Sequence, residues 1–545
     1  MTRTGVGLDD ETLDFVLQTL RTVTERKLGK DVRLHLDEAE EFPVDLVNEM
    51  LGPELGLHLL FLPESVGGLG GGARDLFRVS EELARVDLGV ATAFLAIALG
   101  VDPIIVGGTP EQQQEWLGRI AGQGLIVAYG VTEPAAGSDV ATVRTTATPV
   151  VAADGRIEAY RLSGTKQFIT NGGVAQVYTI LARAPGGPSF FVVDRATPGL
   201  SVGPTERKHG IRASNTAQVI LDDVVVPAAN LLSCEEGKGL EQANRVFGFT
   251  RLMVAGFGLG AGEEALARAI RYAHEREQFG EPLYRKQGFT HKLIVPHAVR
   301  LEAARAYCEE VARRLDGGED GLQVEGSVAK LFASEAGKAA ADAALQAHGG
   351  YGYTHEYEVE KILRDVRITT IYEGTSEIQQ NIIGTHRWRA VVRSKGGFYN
   401  DGAEALHAAG AENMGLAHVP AALAALAHTI LACHETKLPR EQWAMFELAR
   451  LATEVETAAA LAKKALAAVG DRREALMACA RLHGVGAARE VAVTGLRLLA
   501  GSGRYTAEEI TAYRTAIGFD ALVTPPGDEF ELMAAVAKAF EDRIL

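Results

Sequence analysis

Between about Leu125 and Leu232 the hydrophobic residues recur at every second position, whereas on either side of that block they recur at helical spacing. Runs such as Gln176–Ala182, Ser189–Asp194 and Gln218–Asp222 are rich in β-branched and aromatic residues. Turn signals separate them at Asp154-Gly155, Asn171-Gly172-Gly173, Pro185-Gly186-Gly187-Pro188 and Pro198-Gly199. The flanking segments carry apolar residues at Leu13, Val16, Leu17 and Leu20, and again at Leu76, Val79, Leu83 and Val86, each set tracing one face of a helix. The expected fold is therefore mainly α with a central β domain. Residues 1–124 form an N-terminal helical domain, 125–235 the β domain and 236–393 a second helical domain. Residues 394–545, rich in alanine, form an appended helical domain with a late break at Pro525-Pro526-Gly527. The break before it is read over Ser394–Gly402, and the densely charged run Tyr272–Phe279 is read as helix.

At 545 residues the chain exceeds one ordinary core, which fits two to four domains. A net charge of −16 argues against nucleic acid as a partner, so an anionic ligand needs a local basic site. The four cysteines, 234, 308, 433 and 479, include no Cys-x-x-Cys pair, so neither zinc, nor any other metal, nor a disulfide framework is expected. That fits a reducing compartment. The amino terminus lacks an apolar signal core and turns acidic at once, and the location expected is cytoplasmic. The longest apolar stretch is read as Val419–Cys433, interrupted by His428 and Thr429 and shorter than the ~18 residues of a spanning helix.

Two glycine-rich segments invite a phosphate-binding reading. In Pro63–Gly72 no strand precedes the glycines and no Lys-Ser/Thr follows, so a turn between helices is expected. Gly256-Phe-Gly258-Leu-Gly260-Ala261 fits a loose dinucleotide pattern, but without a surrounding βαβ unit it reads as small residues at a helix contact.

Three segments carry candidate chemistry. In Ile371-Tyr-Glu-Gly-Thr-Ser-Glu-Ile-Gln379, Glu373 reads either as a base, its pKa raised by burial under Ile371 and Tyr372, or as a residue of a helix-capping turn with Thr375 or Ser376 as the cap. In Tyr129–Asp139, Thr132, Ser138 and the amides near Gly137 suit a flavin's polar edge or a pyrophosphate, or else an ordinary Ser/Asx turn. In Gly164–Gly173, Phe168 offers an aromatic wall and Thr170 a hydroxyl on the same strand face, or the segment is a hairpin closed by Asn171-Gly172.

The order of these blocks, with Arg276-Glu-Gln-Phe-Gly280, Gln346-Ala-His-Gly-Gly-Tyr-Gly-Tyr353 and Arg364-Asp365, resembles the acyl-CoA dehydrogenase family over about residues 40–393. The resemblance implies an N-terminal helical domain, a small β-barrel or sandwich and a C-terminal four-helix bundle. It also implies FAD as cofactor, an acyl-CoA substrate and an electron-transfer flavoprotein as electron acceptor. It gives Glu373 the removal of the thioester α-proton, with the β-hydrogen leaving as hydride to flavin N5 and a trans-2-enoyl-CoA as product, as in fatty-acid β-oxidation. Some relatives place the base near Thr250, where this chain has no carboxylate.

By the same resemblance Tyr129, Val131, Thr132, Ser138, Phe168 and Thr170 hold the flavin. Arg276, Phe279, Gln346 and Gly350 take the adenine and pyrophosphate end across the interface of a homodimer, and Thr375 and Glu377 touch the same cofactor. Ser138, Arg251, Tyr372 and Gly374 meet the substrate. Phe168 stands where many relatives have tryptophan, and Lys361 where arginine is common. The tail and Lys208–Thr216 resemble the very-long-chain branch, which implies a dimer that meets a membrane peripherally; the helix Gly89–Gly100 would then line the acyl cavity, and Ala91 and Ala96 there would leave room for a long chain. The competing readings are a flavin oxidase or monooxygenase on the same scaffold, and a catalytically silent assembly protein.

Overall fold

The computed structural model describes residues 7–319 and 321–541. They fall into two compact units: one runs up to Ala261 with 312–323 and 364–369, and the other comprises Gly262–Val311, Val324–Leu363 and the chain from Thr370.

The first unit opens with the helices Asp10–Lys27, Lys30–Ala39, Val44–Leu51, Ala73–Val86, Leu88–Gly107 and Pro110–Gln123. Local chemistry sets their ends. Asp9 caps the first by accepting the Thr12 N–H at 2.7 Å, and Thr109 with Gln112 forms a capping box ahead of Pro110 on the last. The loop before Ala73 spends its amides internally. Gly68, Leu69, Gly70 and Gly71 N–H groups donate to the carbonyls of Pro63, Leu59, Leu62 and Leu60, and side chains at Gly68 or Gly71 would strike Leu62 and Leu60. It is a packed turn, with those four donors committed.

The apolar maximum lies elsewhere than the sequence reading put it. Leu88–Gly107, not Val419–Cys433, is the helix among the described residues that is long and apolar enough to cross a membrane, and 89% of its apolar window is buried inside the protein. A helix apolar all round is one enclosed by neighbours.

The sheet has seven strands: β1 (Val127–Gly130), β2 (Thr146–Val151), β3 (Ile157–Thr170), β4 (Val177–Ala184), β5 (Gly187–Asp194), β6 (Leu200–Thr205) and β7 (Thr216–Pro227). The order is β1-β4-β2-β3-β7-β6, with β5 also on β4. The turn at Asn171-Gly172 is present, Asn171 having φ 60°, but it does not close a hairpin. β3 pairs with β2 and β7, whereas β4 pairs with β1, β2 and β5.

The long helix Gly239–Glu275 follows. A Cβ at Gly256 would lie 2.9 Å from the Phe77 carbonyl oxygen, and one at Gly260 would strike the Glu81 carbonyl. The small residues serve close helix packing, as the sequence implies. The charged run Tyr272–Phe279 is not one helix. The helix stops at Glu275, and a hairpin of β8 (Glu277–Gln278) and β9 (Glu281–Pro282) follows, its turn made by Phe279 (φ 56°) and Gly280 (φ 83°).

In the second unit the tail helices include Gly397–Ala408, His418–Glu435, Gln442–Ala467, Gly470–Gly501 and Glu529–Glu541. The break before them is shorter than Ser394–Gly402. Only Lys395 and Gly396 turn left-handed, and Ser394 Oγ accepts the Phe398 N–H at 2.9 Å to start the next helix at Gly397. An ion-pair cluster binds the tail to the helix Ser376–Arg393: Arg387 meets Glu456 at 2.7 and 2.9 Å and Glu325 at 3.0 Å, while the Tyr307 and Tyr399 hydroxyls donate to Glu456. Cys308, Cys433 and Cys479 are buried free thiols and Cys234 is exposed. No group of metal-binding side chains occurs among the described residues.

Candidate functional site

Glu373 sits in a short turn before the helix Ser376–Arg393 with its backbone at φ 55°, and Gly374 continues at φ 89°. For a residue with a Cβ the left-handed region costs about 1–2 kcal/mol, so the surroundings must hold it. Three groups do. The Gln379 side-chain amide donates to the carbonyls of Glu373 at 2.9 Å and Gly374 at 3.0 Å. The ammonium of Lys330, a wholly buried side chain, donates to the Gly374 carbonyl at 2.7 Å. Thr375 caps the helix by accepting the Ile378 N–H at 3.3 Å. A Cβ at Gly374 would lie 2.5 Å from the Gln379 amide nitrogen, so a side chain there would displace Gln379 from these carbonyls.

The capping turn expected from the sequence is present. Thr375 is the cap, and Glu373 lies two residues ahead of it in the same turn. Tyr372, Glu373 and Gly374 are half-buried and Glu377 is exposed. Ile371, expected to help bury the carboxylate, is instead 46% exposed.

In the first unit the two loop segments come together around a buried ion pair. Lys166 Nζ on β3, fully buried, donates to a Glu133 carboxylate oxygen at 2.7 Å and to the Val131 carbonyl at 3.1 Å. Glu133 also accepts from the Thr145 hydroxyl at 2.6 Å and from the amides of Arg144 at 2.6 Å and Thr145 at 3.0 Å. Burial pushes the Lys166 ammonium down to about 8, with Glu133 opposing. Burial also works to raise Glu133, but Lys166 and the other donors win and hold it below the usual carboxylate value. The Thr132 carbonyl accepts the Gln167 N–H at 2.8 Å, completing the seam.

Immediately after Lys166 the register with β7 slips between Lys166 and Ile169. In this bulge Phe168 takes φ 57° and stands 63% exposed. Ile169 is buried, and Thr170 is half-buried on the more open side with Phe168. Asn171 Nδ2 then ties the turn to the Ala93 carbonyl at 2.8 Å. Tyr129 stacks on Phe190 with centroids 5.7 Å apart and meets Phe247 edge-on at 6.4 Å, and the Arg251 guanidinium lies 5.9 Å over the Phe247 ring. Arg251 also donates to the Gln323 carbonyl at 3.0 Å. Val131 is buried, Thr132 half-buried and Ser138 exposed.

In the second unit a cavity of about 520 Å³ brings Arg276, Gln346 and Gly350 together with Tyr272, Leu283 and Leu293. Tyr272 stacks on His348 at 4.5 Å, and the Arg276 guanidinium lies 5.9 Å from the centre of the Tyr351 ring. Phe279 does not line this cavity; at the hairpin tip it is 96% exposed. A guanidinium, a carboxamide and a Gly-Gly backbone beside aromatic rings form a donor set suited to a diphosphate and a flat base. Arg276 gives this cavity a positive charge in a chain whose net charge is −16.

Other recognised residues hold the scaffold. Arg364 pairs with Asp37 at 2.7 and 3.1 Å, and Asp365 accepts the Ile211 N–H at 2.6 Å, fixing the segment Lys208–Thr216. Thr250 and Lys361 are buried. Reading the sequence alone did not single out Lys330, Gln379, Glu133 or Lys166. Gln379, Glu133 and Lys166 lie inside the segments Ile371–Gln379, Tyr129–Asp139 and Gly164–Gly173, where an opposite pair of charges, Glu133 and Lys166, was the available signal.

Models of the acyl-CoA dehydrogenase N-terminal, middle and C-terminal domains match residues 10–123, 128–224 and 237–387. The chain is 39% identical over 361 residues to an acyl-CoA dehydrogenase of Bacillus subtilis (strain 168), covering 64% of this chain and 91% of that protein. It is 38% identical over 353 residues to the acryloyl-CoA reductase (NADH) of Anaerotignum propionicum, covering 64% and 87%. The crystal structure of an acyl-CoA dehydrogenase complexed with FAD from Bacillus anthracis superposes with a TM-score of 0.84 at 25% identity, over 99% of this chain and 97% of that one.

Proposed function

The chain belongs to the acyl-CoA dehydrogenase family and is an FAD-dependent oxidoreductase that dehydrogenates an acyl-CoA; from that premise we propose that Glu373 is the base that removes the α-proton, giving a trans-2-enoyl-CoA in a reaction of the fatty-acid β-oxidation type. The observation that carries this is the left-handed backbone of Glu373, held by Gln379 and Lys330 through the neighbouring carbonyls. Strain maintained by dedicated partners is a mark of a positioned group. Its carboxylate accepts the α-proton, while its own N–H donates to the thioester carbonyl and stabilises the enolate-like charge as it develops. Bound FAD supplies the acceptor for the β-hydrogen as hydride.

Tyr129, Val131, Thr132, Ser138, Phe168 and Thr170 hold the flavin portion. Arg276, Phe279, Gln346 and Gly350 hold the adenine and pyrophosphate end, and Thr375 and Glu377 contact the same cofactor. Ser138, Arg251, Tyr372 and Gly374 meet the acyl-CoA. Glu373→Gln tests the assignment: it should abolish bleaching of the flavin by acyl-CoA, with FAD still bound, and turnover retained in that variant refutes the base.

The finer reading is a homodimer of four domains, 1–124, 125–235, 236–393 and 394–545, that passes electrons to an electron-transfer flavoprotein in the cytoplasm and touches membrane peripherally through the tail. Exposed Trp443, Val469 and Phe530 support the membrane contact; recovery of the protein free of anionic vesicles after sedimentation would remove it. A long acyl chain is the proposed substrate, on the strength of Ala91 and Ala96 in the buried helix Leu88–Gly107. Activity peaking on butyryl-CoA in a chain-length series would reject that preference.

A further inference from the structure

The hairpin that follows Arg276 has two residues in each strand, too few to be stable alone. What fixes its base therefore fixes the direction of Arg276 and Phe279. Its exit leads straight into Tyr284, a buried side chain whose hydroxyl donates to the Ala537 carbonyl of the last helix, Glu529–Glu541, at 2.6 Å.

The Tyr284 ring stacks on His274 with centroids 4.4 Å apart and planes 24° from parallel. His274 lies two residues before Arg276, and the Leu283 N–H donates to the Arg276 carbonyl at 2.9 Å. Tyr284 thus joins the exit of the hairpin to its entrance. The same tail helix packs on the π-helical segment Thr290–Ile294, whose Leu293 lines the cavity with Arg276, Leu283 and Gln346.

We propose that the last helix of the tail is a positioning element for FAD binding, acting through Tyr284 on the hairpin and through Leu293 on the wall of the same cavity. The inference rests on the reading of that cavity as the adenine and pyrophosphate end. The tail helix, whose Ala537 lies 253 positions beyond Tyr284, then governs how tightly the cofactor is held as well as how the fold is braced.

The test uses full-length protein stripped of FAD and titrated back with FAD, following quenching of flavin fluorescence. Tyr284→Phe keeps the ring on His274 and removes only the hydroxyl. Its FAD Kd should rise about three- to tenfold, the range of one net hydrogen bond. In an Arg276→Ala background the same change should alter Kd by less than about twofold, because the residue it positions is gone. An apo-protein melting temperature that falls while FAD Kd stays unchanged would make Tyr284 a brace only and overturn the proposal. Effects that multiply independently in the double variant also overturn it. If Arg276→Ala and Gln346→Ala leave FAD Kd unchanged, the cavity reading fails and the proposal falls with it. If they weaken binding and Tyr284→Phe does not, the reading stands and the positioning role alone is lost.

Discussion

Each of the two units holds a left-handed residue next to a wholly buried lysine. In the first, Phe168 at φ 57° follows Lys166; in the second, Glu373 at φ 55° precedes a carbonyl that Lys330 grips. The means of restraint differ. Lys166 pins its segment through a carboxylate that also collects two amides and a hydroxyl, so the bulge is an outgrowth of a buried polar network. The Glu373 turn is gripped at its backbone carbonyls, by the Lys330 ammonium and the Gln379 carboxamide. A wall for a cofactor can be anchored by its own ion pair. At Glu373 it is the main chain that is fixed.

The largest effect expected from this contrast is at Lys166. Lys166→Met leaves Glu133 buried without its cation, at a cost of about 3–5 kcal/mol. Denaturant unfolding should register it, and FAD binding should weaken because Val131 and Thr132 lose their seam to β3. A loss below about 1 kcal/mol would break the comparison by making the ion pair dispensable.

Next in size is a pH effect of the same pair. Native Lys166 titrates near 8 and an ordinary lysine at 10.5, so between those values the unfolded chain binds more protons than the native one. Stability contributed at this site therefore rises with pH across that window, by at most about 3 kcal/mol. Glu133, held below 4.5, works on the acid side: its contribution is present above that value and is lost as pH falls through its lowered pKa. Unfolding free energies of the wild type and Lys166→Met, measured from about pH 7 to 10.5, should change their difference over the alkaline window. A constant difference would show that Lys166 does not titrate there.

The sequence made one side of this contrast more legible than the other. Period and turn chemistry located the β block because alternation is local, and the Glu373 turn was visible because its cap, Thr375, lies within the same short run. The partners were harder to see. Glu133 and Lys166 lie 33 residues apart and meet only because the loop after β1 folds back on β3. Lys330 is one of two lysines in the alanine-rich helix Gln323–His348, 44 positions from the carbonyl it binds. The same reason decides between the two readings of Gly164–Gly173: the Asn171-Gly172 turn is encoded locally, but β3 pairs with β2 and β7 instead of the strand that follows the turn. Tyr272–Phe279 looked helical because charges continue past Glu275, whereas the end is set by a left-handed Phe279-Gly280 turn that helical spacing does not reveal.

At the other clamp, Lys330→Met removes a charged donor from the Gly374 carbonyl, a contact worth about 1.5–3 kcal/mol. If the clamp serves Glu373, the loss should appear chiefly as a lower rate of flavin reduction at saturating acyl-CoA, about tenfold or more, with FAD Kd unchanged. An unchanged reduction rate alongside a lower melting temperature would reduce Lys330 to a structural role and dissolve the parallel with a positioned base.

The smallest effect separates the cap from the clamp. Thr375→Ala deletes the side-chain acceptor of the Ile378 N–H and should cost about 1 kcal/mol of stability. Gln379 and Lys330 still hold the carbonyls of Glu373 and Gly374 in that variant, so its reduction rate should fall far less than that of Lys330→Met, although Thr375 is nearer to the base in sequence. Thr375→Ser, which retains the capping hydroxyl, should restore the stability. Stopped-flow reduction of the three variants gives the ranking: if Thr375→Ala slows proton removal as much as Lys330→Met does, the turn is held by its cap, and the distinction between a main-chain clamp and ordinary helix capping fails at this site.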